Sequence, residues 1–265
     1  ATRDKDWIQY TTLLLTGKEP IPELIRCIQA VAQFTATHTK AELAEMAMTR
    51  GLLIVPVATI EEVVTSPQLA ARDYWQKVEH PELGATVTYP GAYAKFNTGE
   101  LTTYRRPPTL GEHNAEVEAT PARAASASSP PAKRELPLAG LKVLEFMWVI
   151  AGPTSTRYLA DYGATVIKLE STGKVDTLRT IAPFKDHVTG PERSAAYASV
   201  NAGKLGMTIN LKSPEGRDVA LKLAKWADIV TESFAPGAMK AFGFDYETLK
   251  SINPGVIMVS SCLNG

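Results

Sequence analysis

The chain has 265 residues and carries 28 lysines and arginines against 28 aspartates and glutamates, so its formal net charge is zero. This balance argues against a nucleic-acid-binding protein, which usually has a basic excess, and no apolar run reaches the roughly 18 residues that span a membrane. The two cysteines, Cys27 and Cys262, lie far apart, which excludes a disulfide framework and a cysteine-based zinc site. Sparse use of cysteine fits a reducing cytosol, so we expect a cytoplasmic protein.

The first segment is predicted to begin with helices. Apolar residues spaced three and four apart in residues 22–35 form one face of a helix. Thr39, with Glu42 three residues later, matches a capping box, and Gly51 is a typical helix stop. Shorter elements should follow: strands at 52–57, 75–79, 85–89 and 92–96, helices at 59–64 and 67–74, and an extended tail at 106–113.

Residues 119–137 (ATPARAASASSPPAKRELP) are predicted to form a linker. Proline cannot continue the hydrogen bonding of a helix or strand, and alanine and serine supply no core. The chain therefore divides into a segment up to about residue 118 and a segment from about residue 138. It also begins without methionine and stops at Gly265 just after an apolar run, from which we expect a piece of a longer protein.

The second segment alternates apolar strands with helices. Strands are predicted at 141–146, 164–170, 228–232 and 256–261, and helices at 153–161, 214–226 and 246–252. This alternation indicates an α/β fold with a Rossmann-like parallel sheet that is covered on both faces. Ligands of such sheets bind at the carboxyl ends of the strands, so the loops 147–153, 171–180 and 233–243 are the candidate site.

The motifs of common nucleotide sites are missing from these loops. The first turn after a strand reads MWVIAGP (147–153), which is not the G-x-G-x-x-G of dinucleotide-binding proteins, and the chain contains no P-loop. The histidines have no ligand spacing, so no metal site is predicted; they are His38, His80, His113 and His187.

Long stretches of both segments are similar to one family. Residues 136–170, which include LEFMWVIAGPTSTRYLADYGATVIKLE, together with 200–217 and 227–260, resemble the start of the class III CoA-transferases. This CaiB/BaiF-type family contains the formyl-CoA and carnitine CoA-transferases. Three earlier stretches of the chain resemble the C-terminal end of sequences of the same family: 39–75, 78–91 and 105–113.

The end of one module thus precedes the beginning of another. We expect the junction of a tandem protein: the α+β C-terminal part of a first CoA-transferase module at 1–118, the linker at 119–137, and the N-terminal, Rossmann-like, CoA-binding part of a second module at 138–265. A circular permutant would need Gly265 to continue into a segment preceding Ala1. Family members form interlocked dimers, so the resemblance implies that the other module, or a homodimer partner, completes the enzyme.

The resemblance implies transfer of CoA between an acyl-CoA and a carboxylic acid, without a metal. An aspartate would carry the acyl group as a mixed anhydride and then CoA as a thioester. That aspartate would lie outside this chain, because Asp161, Asp176 and Asp228 are not at the family position; the catalytic residue stays unknown. Alternatives are an α-methylacyl-CoA racemase-like isomerase, a fused lyase, and a non-catalytic CoA-binding or scaffolding half.

The resemblance also assigns the CoA contacts. They are Ile150, Ala151, Ile209, Lys212, Ser233, Phe234 and Phe242. The two phenylalanines could equally be core residues, and Lys212 could equally be solvated. Two positions where the family often has arginine hold Ser171 and Ala241, so either Lys174 or Lys240 partly compensates or this module is a degenerate half.

Overall fold

A computed structural model of the chain describes residues 10–15, 17–52, 54–98, 105–119, 136–171 and 173–262. The chain divides into two compact units, Ala1–Thr120 and Pro121–Gly265. Most of the predicted linker at 119–137 lies outside the described residues, so its character as a linker stays a prediction.

The described part of the first unit is mainly helical. Its helices are α1 (Tyr10–Leu15), α2 (Ile21–Ala36), α3 (Lys40–Arg50), α4 (Ile60–Val64), α5 (Pro67–Ala71) and α6 (Asn114–Ala119). The predicted capping box forms at the start of α3, where the Thr39 side chain accepts from the Glu42 backbone and the Glu42 carboxylate accepts from the Thr39 backbone. Gly51 ends that helix with a positive φ of 63°, which a glycine adopts without strain.

An antiparallel hairpin completes this unit. It consists of β1 (Trp75–His80) and β2 (Ala85–Pro90), paired along their whole length. The prediction of further strands at 52–57 and 92–96 was wrong for the residues described there: within those residues neither range pairs with a strand, and Pro56 lacks the N–H that a ladder needs. The tail predicted at 106–113 has no regular structure at 106–109 and then a turn, which leads into α6, a helix that was not predicted.

The second unit is built on a parallel sheet, as predicted. Its strands are β3 (Lys142–Phe146), β4 (Thr165–Glu170), β5 (Leu205–Thr208), β6 (Ile229–Glu232) and β7 (Ile257–Ser260). Its helices are α7 (Ala151–Asp161), α8 (Ala195–Asn201), α9 (Pro214–Trp226), α10 (Ala238–Phe242) and α11 (Tyr246–Ile252). The strand order β5–β4–β3–β6–β7 is that of a doubly wound sheet, with its order reversing between β3 and β6.

Alternating residues of β3 show why the sheet is covered on both faces. Leu144 and Phe146 belong to a large apolar cluster with residues of α9 and α11, and Phe146 packs against Phe244 with ring centroids 5.5 Å apart. Val143, which points to the opposite face, belongs to a second cluster with Val166. The centre of the sheet is therefore buried between two layers, and the free ends of its strands are where a ligand can approach.

Candidate functional site

A pocket of about 690 Å³ lies at the carboxyl edge of the sheet in the second unit. The segments that follow β3, β4, β5 and β6 all contribute to it. Its walls are formed by Phe146, Trp148, Leu169, Glu170, Ser171, Gly173, Lys174, Ile209, Asn210, Leu211, Lys212, Phe234, Ala235, Ala238 and Phe242. Its position beside the point of strand-order reversal is the usual ligand site of a doubly wound sheet, and its volume suits a small organic ligand.

Three aromatic side chains form one side of this pocket, here called the aromatic wall. The rings of Trp148 and Phe234 meet edge to face with centroids 5.9 Å apart, and those of Phe234 and Phe242 do so at 6.2 Å. Phe234 and Phe242 also pack against the large apolar cluster from a half-buried position. The two phenylalanines therefore pack against the core and also line the pocket. This makes the wall apolar and rigid.

Two lysines supply positive charge to the pocket. Lys174 and Lys212 both line it and both are exposed. The ammonium of Lys174 lies 5.7 Å from the centroid of the Trp148 ring, within the range of a cation–π contact. Lys212 sits in a turn where its backbone N–H donates to Asn210 Oδ1 at 3.1 Å.

Four of the seven predicted CoA-binding residues meet at the pocket: Ile209, Lys212, Phe234 and Phe242. Ser233 lies behind the wall, where its hydroxyl accepts a hydrogen bond of 3.0 Å from the Trp148 backbone. Ile150 and Ala151 are not among the residues that line the pocket. Ile150 precedes α7 with 58% of its surface exposed. The role of all seven as CoA ligands stays a prediction.

The two positions without arginine differ in their placement. Ser171 lines the pocket, and its hydroxyl accepts a hydrogen bond of 3.1 Å from the backbone of Lys174. Ala241 is exposed on α10 and, like Lys240, is not among the lining residues. Of the two lysines considered as substitutes for arginine, Lys174 therefore faces the pocket.

Sequence reasoning missed Trp148 and the strand β5. Trp148 follows the first strand of the sheet, and its place at a strand end was the available signal. The sequence of β5, LGMT, is short and contains a glycine, and the strand is exposed along its length. It therefore lacks the apolar pattern by which a buried strand is predicted. The pocket residues Asn210 and Leu211 follow that strand and were missed with it.

A buried ion pair lies directly behind the strand ends. The Lys168 ammonium, on β4, is 3.0 Å from Asp176 Oδ2 and donates to the carbonyl oxygen of Met147 at 2.6 Å. Both side chains are fully buried. Asp176 Oδ1 accepts from the backbones of Val149 at 3.1 Å and Leu178 at 3.0 Å. The pair thus connects the loop after β4 to the turn after β3.

A second buried pair supports the start of α7. The Lys204 ammonium donates to Glu145 Oε1 at 3.0 Å and to the carbonyl oxygen of Pro153 at 2.9 Å. Burial raises the pKa of Glu145, which the charges of Lys168 and Lys204 oppose, and burial lowers the pKa of Lys204, which the charge of Glu145 opposes. Such a pair contributes to the definition of the local structure more than to net stability.

Glu170, at the end of β4, is held ionised. Burial alone would raise its pKa, but the Arg179 guanidinium, the Asp176 backbone N–H and the Tyr197 hydroxyl donate to the carboxylate and lower the pKa to about 2. Arg179 also stacks on the Tyr197 ring, with its guanidinium carbon 3.7 Å from the centroid. The negative charge of Glu170 is thereby compensated, although this residue lines the pocket.

The described part of the chain lacks two kinds of feature. Within it, no group of three or more histidine, cysteine, aspartate or glutamate side chains is arranged to hold a metal ion. Among the described helices, none combines the length and apolar character needed to cross a membrane.

Comparison with known proteins links the chain to one family. The model of CoA-transferase family III matches residues 15–114 and 138–262. An acyl-CoA transferase from Fusarium pseudograminearum is 41% identical over 124 residues, 45% of this chain and 27% of that protein. The acetyl-CoA:oxalate CoA-transferase of Acetobacter aceti is 39% identical over 131 residues, 49% of this chain and 32% of that protein.

The human succinyl-CoA:glutarate CoA-transferase is 40% identical over 124 residues, 47% of this chain and 27% of that protein. A solved structure of a CaiB/BaiF family protein from Brucella suis is 43% identical, with a TM-score of 0.44, and the match covers 48% of this chain and 33% of that one. The matched region spans between 27% and 33% of the length of these proteins.

Proposed function

Because the chain belongs to CoA-transferase family III, we propose that it is part of an enzyme that moves CoA from an acyl-CoA to a carboxylic acid. The observation that carries the proposal is the pocket at the carboxyl edge of the sheet, in which an aromatic wall stands beside two lysines. CoA has an adenine ring, three phosphates and a long, largely apolar arm. An apolar pocket with a few placed cations matches that chemistry.

Within this pocket we assign roles by chemistry. Phe234 and Phe242 would contact the adenine, because their rings present flat and edge surfaces to the cavity. Lys212 and Lys174 would contact the phosphates as point charges. Ile209, almost fully buried at the pocket floor, would limit its depth. Ile150 and Ala151 would contact the nucleotide through the backbone of the turn after β3, and Ser233, directly after β6, would take the place of the family's usual asparagine, as the family resemblance implies.

The transfer would need a carboxylate nucleophile, which the family resemblance places outside this chain. An aspartate in another part of the protein would attack the thioester carbonyl and expel the CoA thiolate, which gives a mixed anhydride. The thiolate would then attack the aspartyl carbonyl and release the first acid. The acceptor acid would then attack the aspartyl thioester and expel the CoA thiolate, which gives a second mixed anhydride. The thiolate would attack the acyl carbonyl of this anhydride, which releases the new acyl-CoA and the free aspartate. The names of the relatives support this transferase chemistry over a racemase.

We also propose the tandem arrangement, with parts of two modules at 1–118 and 138–265 joined by residues 119–137 and acting in the cytoplasm. Matches of one family model on either side of these residues support it. So does an exposed apolar face on α2, which suits contact with another module or with a homodimer partner. That face is formed by Ile21, Ile25, Ile28, Val31 and Phe34.

Calorimetric titration of the chain with CoA tests the proposal. Lys174→Ala and Lys212→Ala should each weaken CoA affinity by roughly 10-fold or more, since each removes a charge-assisted contact to phosphate. Lys222→Ala, which removes an exposed lysine of α9 outside the pocket, is the matched control. Equal affinities for all four proteins would refute the phosphate assignment.

A second candidate is a CoA-binding half that does not catalyse, and the alanine at 241 and serine at 171 favour it. The full-length protein separates the two. Incubation with an acyl-CoA followed by mass spectrometry should detect a covalent acyl or CoA adduct on an aspartate of the second module. CoA binding without any adduct on that module would support the non-catalytic half.

A further inference from the structure

The turn after β3 contains an unusual backbone conformation. Val149 has a φ of +66°, in the left-handed region that β-branched residues rarely adopt. Its side chain is exposed, so apolar packing does not hold the residue in this state. A conformation of this kind persists only where surrounding contacts impose it, and such positions concentrate at functional sites.

Three side chains impose it by binding consecutive backbone groups. Lys168 donates to the carbonyl oxygen of residue 147, the Ser233 hydroxyl accepts from the N–H of residue 148, and Asp176 accepts from the N–H of residue 149. The distances are 2.6, 3.0 and 3.1 Å respectively. The turn is therefore clamped from β4, from the loop after β4 and from the end of β6.

Two of these side chains carry a buried charge that also makes contacts away from the turn: Lys168 lies 3.9 Å from Glu145 Oε1, and Asp176 accepts from the Leu178 backbone at 3.0 Å. Lys168 and Asp176 are fully buried, form an ion pair, and lie outside the pocket. A buried ion pair is weak evidence for stability, because apolar residues of similar volume often serve as well. What apolar residues cannot supply is the pair of directed bonds to the turn.

The turn carries Trp148, whose ring faces Phe234 and lies beneath the Lys174 ammonium. We propose that Lys168 and Asp176 are positioning residues for CoA: they hold the turn in its strained form so that the Trp148 ring completes the aromatic wall. This inference rests on the proposed function, since it takes the occupant of the pocket to be CoA. It adds two residues that touch the backbone and not the ligand.

The test is CoA titration of the chain carrying Lys168→Met together with Asp176→Ala. The double change removes both bonds to the turn without leaving one buried charge unpaired. Affinity should fall by roughly 10-fold to 100-fold. Asp228→Ala is the control: Asp228 also accepts from a backbone N–H, that of Lys142 at 2.9 Å, but at the opposite edge of the sheet. It should leave the affinity within about 2-fold of the wild type.

A rescue separates positioning from a general loss of structure. Val149→Gly, added to the double variant, should recover most of the lost affinity, because glycine adopts a positive φ without an external clamp. Ile150→Gly in the same background should not, because Ile150 has an ordinary negative φ. If Val149→Gly does not restore affinity, or if the double variant binds CoA as tightly as the wild type, the inference is overturned while the proposed function still stands.

If wild-type chain does not bind CoA, the proposed function fails and the inference falls with it. If the double variant does not fold, thermal unfolding of Val149→Gly alone decides. Relief of strain should raise its Tm, whereas Ile150→Gly should lower Tm by several degrees. A fall in Tm for Val149→Gly as large as that for Ile150→Gly overturns the inference.

Discussion

The carboxylate of Glu170 offers a stability prediction whose magnitude follows from its surroundings. Its pKa is lowered from 4.5 to about 2, since the bonds from Arg179, Tyr197 and the Asp176 backbone outweigh the effect of burial. That fall corresponds to about 3 kcal/mol of stabilisation of the folded state at neutral pH. Glu170→Gln should therefore lower the free energy of unfolding by about 3 kcal/mol at pH 7.

The sign of the pH dependence follows from the lowered pKa. The stabilisation is complete above the unfolded-state pKa near 4.5 and is lost as the pH falls toward about 2. The difference between wild type and Glu170→Gln should shrink to less than half of its pH 7 value at pH 3. Urea unfolding followed by tryptophan fluorescence, repeated from pH 7 to pH 3, measures this difference directly.

Glu192 provides a matched control for the same experiment. Its carboxylate also pairs with Arg179, at 3.0 Å, but its side chain is 82% exposed. Because exposed pairs are well solvated, Glu192→Gln should cost roughly 0.5 kcal/mol or less. Equal losses for Glu170→Gln and Glu192→Gln, or a Glu170→Gln loss that does not change with pH, would refute the reasoning.

Three further changes test the packing, the buried charges and the pocket. Gly216→Ala places a methyl group against a backbone carbonyl oxygen and should cost about 1–3 kcal/mol in urea unfolding, whereas Gly206→Ala enters open space and should be nearly neutral. Lys204→Met leaves the buried Glu145 carboxylate with Lys168 alone, at 3.9 Å, and should cost about 3 kcal/mol, most of which the added change Glu145→Gln should restore. Phe234→Ala should weaken CoA affinity by roughly 10-fold in calorimetry, and an unchanged affinity would remove this ring from the proposed adenine site.

Local signals predicted much of the fold. Thr39 was identified as a helix cap from a few neighbouring residues, and it caps in the structure because capping is satisfied within one turn. The parallel sheet was predictable for a related reason: strands buried on both faces need long apolar runs. Predicting parallel strands also predicted that their following loops meet at one edge, which is where the pocket lies.

Features that depend on distant partners were beyond sequence reasoning. Nothing near Lys168 or Asp176 in the sequence indicates that they pair, because the pair forms only when the loop after β4 folds back on the sheet. The strands wrongly predicted at 52–57 and 92–96 also show this dependence on distant partners, because an apolar run becomes a strand only where a partner strand exists. The position of Trp148 was readable, but its contacts with Phe234 and Lys174 depend on three separate segments.

The two missing arginines do not have equal weight. Ser171 lines the pocket, and its bridge with Lys174 turns the chain so that this lysine enters the same pocket. Lysine does not reproduce the bidentate geometry of arginine, but it keeps the charge that a phosphate requires. At Ala241 no such substitute lines the pocket among the described residues, since Lys240 lies outside it. One cation, and not two, is therefore lost, and Lys174 and Lys212 remain. The proposal of a non-catalytic half therefore loses part of its support.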